Sequence, residues 1–248
     1  MKTVVQNDSL FLCYFSNMGQ KNKLAKWADN LTFGNVYQPK TSEVLNTNYH
    51  LKGKWNTAVF KNNHPIVLEL GCGKGEYSVG LAKEFPEKNF IGLDIKGNRI
   101  WKGAKEAFES SMKNVVFVRT RIDFITSIFE ENEVDEIWIT FPDPQPKDRQ
   151  ERKRLTSPLF TERYKKILKP NGIIHLKTDH EGFFKYTLQE IKDNNYHLLE
   201  HTFNLYAEKI ADLDEKTQRI LSIKTFYENL FSQKGHHIHY LKFQFKKP

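Results

Sequence analysis

The stretch Ile66-Val67-Leu68-Glu69-Leu70-Gly71-Cys72-Gly73-Lys74-Gly75 passes from an apolar run into glycines at alternate positions. A short apolar run that stops at glycines has the pattern of a buried strand ending in a tight turn. The spacing predicts a helix behind it, near Glu76–Phe85. The same unit then recurs. Phe90-Ile91-Gly92-Leu93-Asp94 reads as a second strand, followed by Ile100, Ala104 and Ala107 at helical spacing. Val115-Val116-Phe117-Val118 reads as the third strand and Glu136-Ile137-Trp138-Ile139 as the fourth. Ser157-Pro158 has the form of an N-cap with proline at the first helical position. Phe160, Tyr164, Ile167 and Leu168 form that helix's apolar stripe, and Pro170-Asn171-Gly172 its expected end. Ile173-Ile174-His175-Leu176 is the fifth strand, with Phe184, Leu188 and Ile191 facing the core from the next helix. Leu241, Phe243 and Phe245 alternate with Lys242, Gln244 and Lys246, as in a strand with one wet face. Strand–helix units in series predict an α/β fold with a doubly wound, mostly parallel sheet. Ligands of such sheets sit at the carboxyl ends of the strands, so the residues just beyond each strand are the candidates for chemistry.

The 248 residues suffice for one sizeable α/β domain with an extension. Residues 1–60 are mixed and polar, with a basic stretch containing Lys21, Lys23 and Lys26, and are expected to form a partly helical or flexible extension. Residues 61–248 carry the strand–helix units. A net charge of +8 favours polyanionic partners without choosing between nucleic acid and an anionic membrane surface. The two cysteines, Cys13 and Cys72, lack metal-ligand spacing and suit a reducing cytoplasm. The apolar run Leu10–Phe15 is too short for a membrane span and lacks the basic lead of a signal peptide. His236, His237 and His239 cluster without an acidic or cysteine partner at ligand spacing, so no metal is expected.

Gly71, Gly73 and Gly75 let the backbone turn sharply and approach a ligand closely. Their G-x-G-x-G spacing differs from the G-x-G-x-x-G that cradles a pyrophosphate. S-adenosyl-L-methionine has no phosphate and suits such a loop. Asp94 ends the second strand, 23 residues after Gly71, where a carboxylate can accept both hydroxyls of a ribose. Glu69 lies under the loop as a candidate for the sulfonium side or the methionine ammonium. Asp123, past the third strand, is placed either to accept from an adenine amine or to cap a helix. Cys72 reads as a small buried filler.

Ile139-Thr140-Phe141-Pro142-Asp143-Pro144 closes the fourth strand. The two prolines stiffen the backbone on either side of Asp143, holding its carboxylate at the face where substrate meets cofactor. Lys147-Asp148-Arg149-Gln150-Glu151-Arg152-Lys153-Arg154 follows, with five basic residues in eight. Lys147, Arg149, Arg152, Lys153 and Arg154 are candidate contacts to an RNA backbone.

These motifs resemble those of the bacterial tRNA (guanine-N7-)-methyltransferases. The resemblance rests on Phe141-Pro142-Asp143-Pro144 with Lys147 and the basic run, on Glu69–Gly75, on Lys177-Thr178-Asp179, and on Thr225-Phe226-Tyr227-Glu228 with Gly235 and the final strand. It spans roughly residues 18–246. The chain departs from the family pattern at Gln145 and Gln150, where an aromatic residue and a histidine are frequent. The resemblance implies a Rossmann-like class I methyltransferase with a seven-stranded sheet. Its methyl donor is S-adenosyl-L-methionine and its substrate a guanine in tRNA, the variable-loop guanine at position 46. It implies that Glu69, Asp94, Asp123 and Asp143 lie at the cofactor, with Asp143 catalytic. It places Lys147, Asp179, Thr225, Phe226, Tyr227 and Glu228 at the substrate. Thr225 and Glu228 also fit a capping box on the helix that follows them. Because the resemblance begins near Met18, translation starting at Met18 is a further expectation. Competing readings are a methyltransferase of the same fold with another substrate, and a non-catalytic RNA-binding protein that kept the fold. A nicotinamide-dependent dehydrogenase fits the loop spacing poorly. The sequence leaves monomer and homodimer equally open.

Overall fold

The structure is a computed structural model that describes residues 23–232 and 235–246. The run Leu10–Phe15, the Met18 start and Lys21 lie outside the described residues. The strands are β1 (Val36–Tyr37), β2 (Ile66–Leu70), β3 (Asn89–Asp94), β4 (Val115–Arg119), β5 (Val134–Thr140), β6 (Leu168–Thr178), β7 (His197–Thr202) and β8 (His239–Gln244). They form one sheet in the order β1-β4-β3-β2-β5-β6-β8-β7. The pairs from β1 through β6 are parallel, and β8 runs antiparallel to both β6 and β7. Seven strands match the expected sheet. The eighth, β1, comes from the N-terminal stretch and adds two residues to the edge of β4.

The helices are α1 (described over 23–32), α2 (Glu76–Glu84), α3 (Gly97–Glu109), α4 (Ile125–Ile128), α5 (Pro158–Ile167), α6 (Glu181–Asp193), α7 (Glu215–Leu221) and α8 (Phe226–Ser232). The sheet is buried on both faces, as crossover helices require. Leu68, Leu70, Ile91, Leu93, Ile137 and Ile139 enter one core. Val67, Phe90, Val115, Phe117 and Trp138 enter the other. Residues 33–60 are not a detached extension. Val44, Tyr49, Leu51, Trp55 and Phe60 join the first core, and the Trp55 indole donates to the Ile128 carbonyl at 3.0 Å. Leu241 and Phe243 of β8 are buried while Lys242 and Gln244 are half-exposed, giving the expected wet face.

Ser157 occupies the N-cap position of α5 with Pro158 at the first helical position, as expected. Its carbonyl accepts from the Phe160 N–H at 2.9 Å, while its hydroxyl donates to the Arg152 carbonyl at 3.4 Å. One local expectation fails. The stripe residue Leu168 is not helical. α5 stops at Ile167 and β6 starts at once, with an irregularity in its pairing to β5 that absorbs Pro170-Asn171-Gly172.

The glycine turn leads directly into α2. Gly71, Gly73 and Gly75 have φ of +74°, +55° and +73°, conformations costly for any side chain. At Gly75 an added methyl would stand 2.6 Å from the Phe117 ring. Gly75→Ala therefore combines left-handed strain with overpacking and is expected to cost about 3 kcal/mol. Urea unfolding measures this, and a loss under about 0.5 kcal/mol would mean that the ring moves freely aside.

Candidate active site

Five segments converge at the carboxyl ends of the parallel strands. They are the turn after β2, Asp94 at the end of β3, the loop after β4, the proline loop after β5 and the N-terminal end of α8. Two adjoining cavities lie between them. The larger, of about 740 Å³, is lined by Gly71, Asp94, Asp123, Arg149, Arg152 and Lys153 among others. The smaller, of about 170 Å³, has Asp143, Gly73, Lys74, Thr225, Phe226 and Tyr227 in its wall. Gly71, Asp94 and Leu155 border both. A methyl added at Gly71 would meet no atom within 4 Å, so the backbone there fronts open space.

The turn is held from below by Asp94. One carboxylate oxygen accepts from the Gly73 N–H at 2.9 Å and the other from the Lys96 N–H at 2.7 Å. Each oxygen keeps a second lone pair for a ligand. Glu69 lies deeper, and nearly all of it is enclosed. Its carboxylate accepts from the Ser78 N–H at 2.8 Å, the Ser78 hydroxyl at 2.5 Å and the Thr140 hydroxyl at 2.6 Å. Glu69 thus ties β2 to the first turn of α2 and to the last residue of β5. It borders neither cavity, so protein groups occupy the carboxylate assigned from sequence to the ligand.

Asp143 is exposed at the mouth of the smaller cavity. Phe141 and Gln145, the residues flanking Pro142-Asp143-Pro144, have φ of +48° and +46°. These two left-handed turns expel the loop from the sheet. The Asp143 carboxylate accepts from the Gln145 N–H at 3.2 Å, closing the turn on itself. Arg149, Arg152 and Lys153 lie on two 3-10 turns (Asp148–Lys153) and line the larger cavity. Arg154 does not join them. Its guanidinium donates to the Gln145 carbonyl at 3.1 Å and lies over the Tyr186 ring at 4.3 Å. It braces the proline loop, because the left-handed Gln145 turns its carbonyl inward. Lys147 is exposed beyond both cavities.

Asp123 is not a helix cap. It sits inside a 3-10 turn (Ile122–Phe124), and Arg121 and Arg163 approach its carboxylate at 3.1 and 3.7 Å. Asp179 follows β6 and faces the His236 ring at 3.7 Å. Among the described residues no His, Cys, Asp or Glu cluster suits a metal ion. Cys72 is buried, and desolvation pushes its thiol well above the ordinary range.

Thr225-Phe226-Tyr227-Glu228 splits in two. Thr225, Phe226 and Tyr227 line the smaller cavity, with the Lys74 ammonium 3.4 Å from the Phe226 ring centre. Glu228 faces away and is fully buried. Only half of the expected capping box forms: the Thr225 hydroxyl accepts from the Glu228 N–H at 3.1 Å. The Glu228 carboxylate does not reach back. The Lys177 ammonium takes it at 2.9 Å. Of the four residues that the resemblance places at the substrate here, Glu228 has its carboxylate taken up inside the protein. Sequence reasoning quoted Lys177 without giving it a role, and it missed Ser78 and Thr140. A lysine closing an otherwise apolar strand was the available signal for the first. Isolated hydroxyls gave none.

Comparison with known proteins bears on this arrangement. A family described as "Putative methyltransferase" matches residues 63–241. The chain is 48% identical to the tRNA (guanine-N(7)-)-methyltransferase of Christiangramia forsetii, over 92% of this chain and 100% of that one. It is 50% identical to the protein of the same name from Bacteroides thetaiotaomicron, over 90% of this chain and 86% of that one. Among solved structures, the 16S rRNA methyltransferase KamB superposes with a TM-score of 0.58 at 12% identity, covering 77% of this chain and 92% of that one. The 16S rRNA (adenine(1408)-N(1))-methyltransferase of Catenulisporales acidiphilia gives 0.55 at 12%, covering 79% and 94%. At that identity the structures speak for the fold, which is that of a Rossmann-like methyltransferase.

Burial raises the Glu69 pKa to about 7 against the bonds from Ser78 and Thr140, which lower it. A raised acid pKa means that the folded state holds the proton more tightly than the unfolded state does. This contribution to stability is complete below about pH 4.5 and is lost as pH rises to about 7. Relative to Glu69→Gln, the wild-type chain should lose on the order of 3 kcal/mol across that window. Parallel urea titrations at both pH limits check it, and equal slopes for the two proteins would contradict it.

Proposed function

Because the chain belongs to the tRNA (guanine-N(7)-)-methyltransferase family, we propose that it transfers a methyl group from S-adenosyl-L-methionine to N7 of a guanine in tRNA, with Asp143 as the catalytic carboxylate. The variable-loop guanine at position 46 is the target, and the cytoplasm is the site of action. The observation that carries the reading is the position of Asp143. It stands on a proline-stiffened turn at the mouth of a cavity that the glycine turn and Asp94 also line.

The residues present fit the methyl donor. Gly71 offers uncovered backbone where the cavities meet, and Asp94 offers spare lone pairs beside it. The glycine turn and Asp94 hold the methionine and ribose parts, and Asp123 accepts from the adenine amine. Glu69 acts from beneath, by fixing the turn and β5. When bound, the donor supplies an electrophilic methyl group on a sulfonium.

Guanine N7 carries a lone pair and no proton, so no general base is needed to unmask it. The protein's task is placement, together with an anion near the positive charge that grows on the purine. Asp143 accepts from the guanine N1–H and amino group, which orients the ring and stabilises the cationic product. Asp179 shares in reading that edge. Thr225, Phe226 and Tyr227 wall the guanine from the side. Lys147, Arg149, Arg152 and Lys153 take phosphates of the tRNA and set its register.

Nucleoside analysis of tRNA incubated with the protein and labelled donor should show 7-methylguanosine; label in another nucleoside, or none, rejects the reading. Asp143→Ala should lower turnover at least about a hundredfold while calorimetric donor affinity stays within a few-fold, as expected for lost transition-state stabilisation. Near-normal turnover would remove Asp143 from the mechanism. For Lys147→Ala, tRNA affinity should fall and the slope of log affinity against log salt should flatten by about one. An unchanged slope argues against a phosphate contact.

A further inference from the structure

Lys177 and Glu228 are both 0% exposed, an ion pair wholly withdrawn from water. The Lys177 ammonium makes three hydrogen bonds. It donates to Glu228 at 2.9 Å, to the Leu221 carbonyl at 2.6 Å and to the Ile223 carbonyl at 3.4 Å. Leu221 ends α7, and Ile223 lies in the short link to α8. Glu228 also accepts from the Tyr206 hydroxyl. The main chain of the same lysine faces another way. Its carbonyl accepts from the Phe141 N–H at 2.8 Å, two residues before Asp143. Its next neighbours in the chain are Thr178 and Asp179. One residue therefore joins the root of the Asp143 loop, the Asp179 turn and the α7–α8 corner.

α7 and α8 have seven residues each, too few to hold a helix without tertiary support. The corner carries Thr225, Phe226 and Tyr227, which form one side of the smaller cavity. Phe226 is 48% exposed there, so little apolar packing fixes it. Ile220 and Leu221 pack into the second core, with Ile223 against it, and directional bonds are added to that packing. Lys177 grips its carbonyls, the Tyr77 hydroxyl donates to the Ile220 carbonyl at 2.9 Å, and Glu228 closes the circuit. Two desolvated charges are seldom the most stable way to fill such a space, because apolar groups of like size often serve as well. Hydrogen bonds to named carbonyls do what apolar groups cannot: they set position and angle.

We propose that Lys177, acting through Glu228 and the Leu221 and Ile223 carbonyls, is a positioning residue that sets the Thr225–Tyr227 wall against Asp143. It touches neither guanine nor methyl donor. The proposal rests on the tRNA methyltransferase reading and assigns the substrate wall of that site to a buried pair. Lys177 also belongs to the β6 frame, so wall and catalytic loop are referred to one rigid strand. A displacement of the wall costs rate, since errors near 1 Å in placing a reactant cost on the order of a hundredfold.

The test uses the full chain and tRNA. Lys177→Met with Glu228→Met removes both charges together and leaves no stranded ion. The double variant should fold cooperatively and bind S-adenosyl-L-methionine within about twofold of wild type, yet lose on the order of a hundredfold in kcat/KM for tRNA, mostly in kcat. Wild-type kcat/KM in the folded double variant overturns the proposal and makes the pair filler. A parallel loss of donor affinity overturns it too, since the pair would then support the glycine turn. Should the double variant fail to fold, Glu228→Gln keeps the shape while removing the charge that pairs with the Lys177 ammonium. It should lower kcat/KM about tenfold with donor affinity intact, and unchanged kinetics overturn the proposal. A wild-type chain that forms no 7-methylguanosine rejects the functional reading itself, a result distinguishable from every outcome above.

Discussion

Beneath the glycine turn lies a carboxylate with no cation against it. Glu69 is enclosed by protein, and among the described residues its hydrogen bonds come from Ser78 and Thr140. A buried acid without hydrogen bonds is costly, so these groups must keep their places for the fold to tolerate it. Ser78 belongs to the first turn of α2, and Thr140 is the last residue before the proline loop. The demand of one desolvated group therefore locks the orientation of α2, the entry to the glycine turn and the root of the Asp143 loop. Asp94 repeats the device one strand over, with both oxygens on backbone amides. The floor of the site is made of carboxylates whose hydrogen bonds are internal to the protein.

The roof is built differently. The α7–α8 corner is short; Ile220 and Leu221 pack it into the second core, and Lys177 ties it by hydrogen bonds to backbone carbonyls. Lys74 over Phe226 and Arg99 over Tyr227 add softer contacts at its outer side. Beside it, Arg154 braces the proline loop through the Gln145 carbonyl. Charges near the site thus divide by direction. Those turned inward, such as Lys177 and Arg154, hold backbone carbonyls. Arg149, Arg152 and Lys153 line the larger cavity.

The parallel sheet was readable because its strands are buried on both faces. Runs such as Ile66–Leu70 and Val115–Val118 leave little room for another interpretation. The glycine turn was readable because three closely spaced left-handed residues strongly favour glycine. What could not be read were arrangements settled by distant partners. β1 is two residues long and exists only because β4 offers an edge. Leu168 fits a helical stripe as well as a strand, and pairing with β5 outweighed local periodicity. Glu228 has the spacing of a capping box, yet a lysine 51 positions away claims its carboxylate. Local spacing cannot show which of two donors lies nearer in space.

The insertion of β8 between β6 and β7 has a bearing on biosynthesis. A nascent chain emerges from the ribosome N-terminus first, so β6 and β7 are made before the strand that joins them. Until His239–Gln244 emerge, β6 has an unpaired edge next to the parallel core and β7 has no sheet to join. Open edges of this kind recruit other strands. Final assembly of the sheet thus waits on β8, and until it is made the polypeptide carries an open strand edge of the kind that chaperones shield.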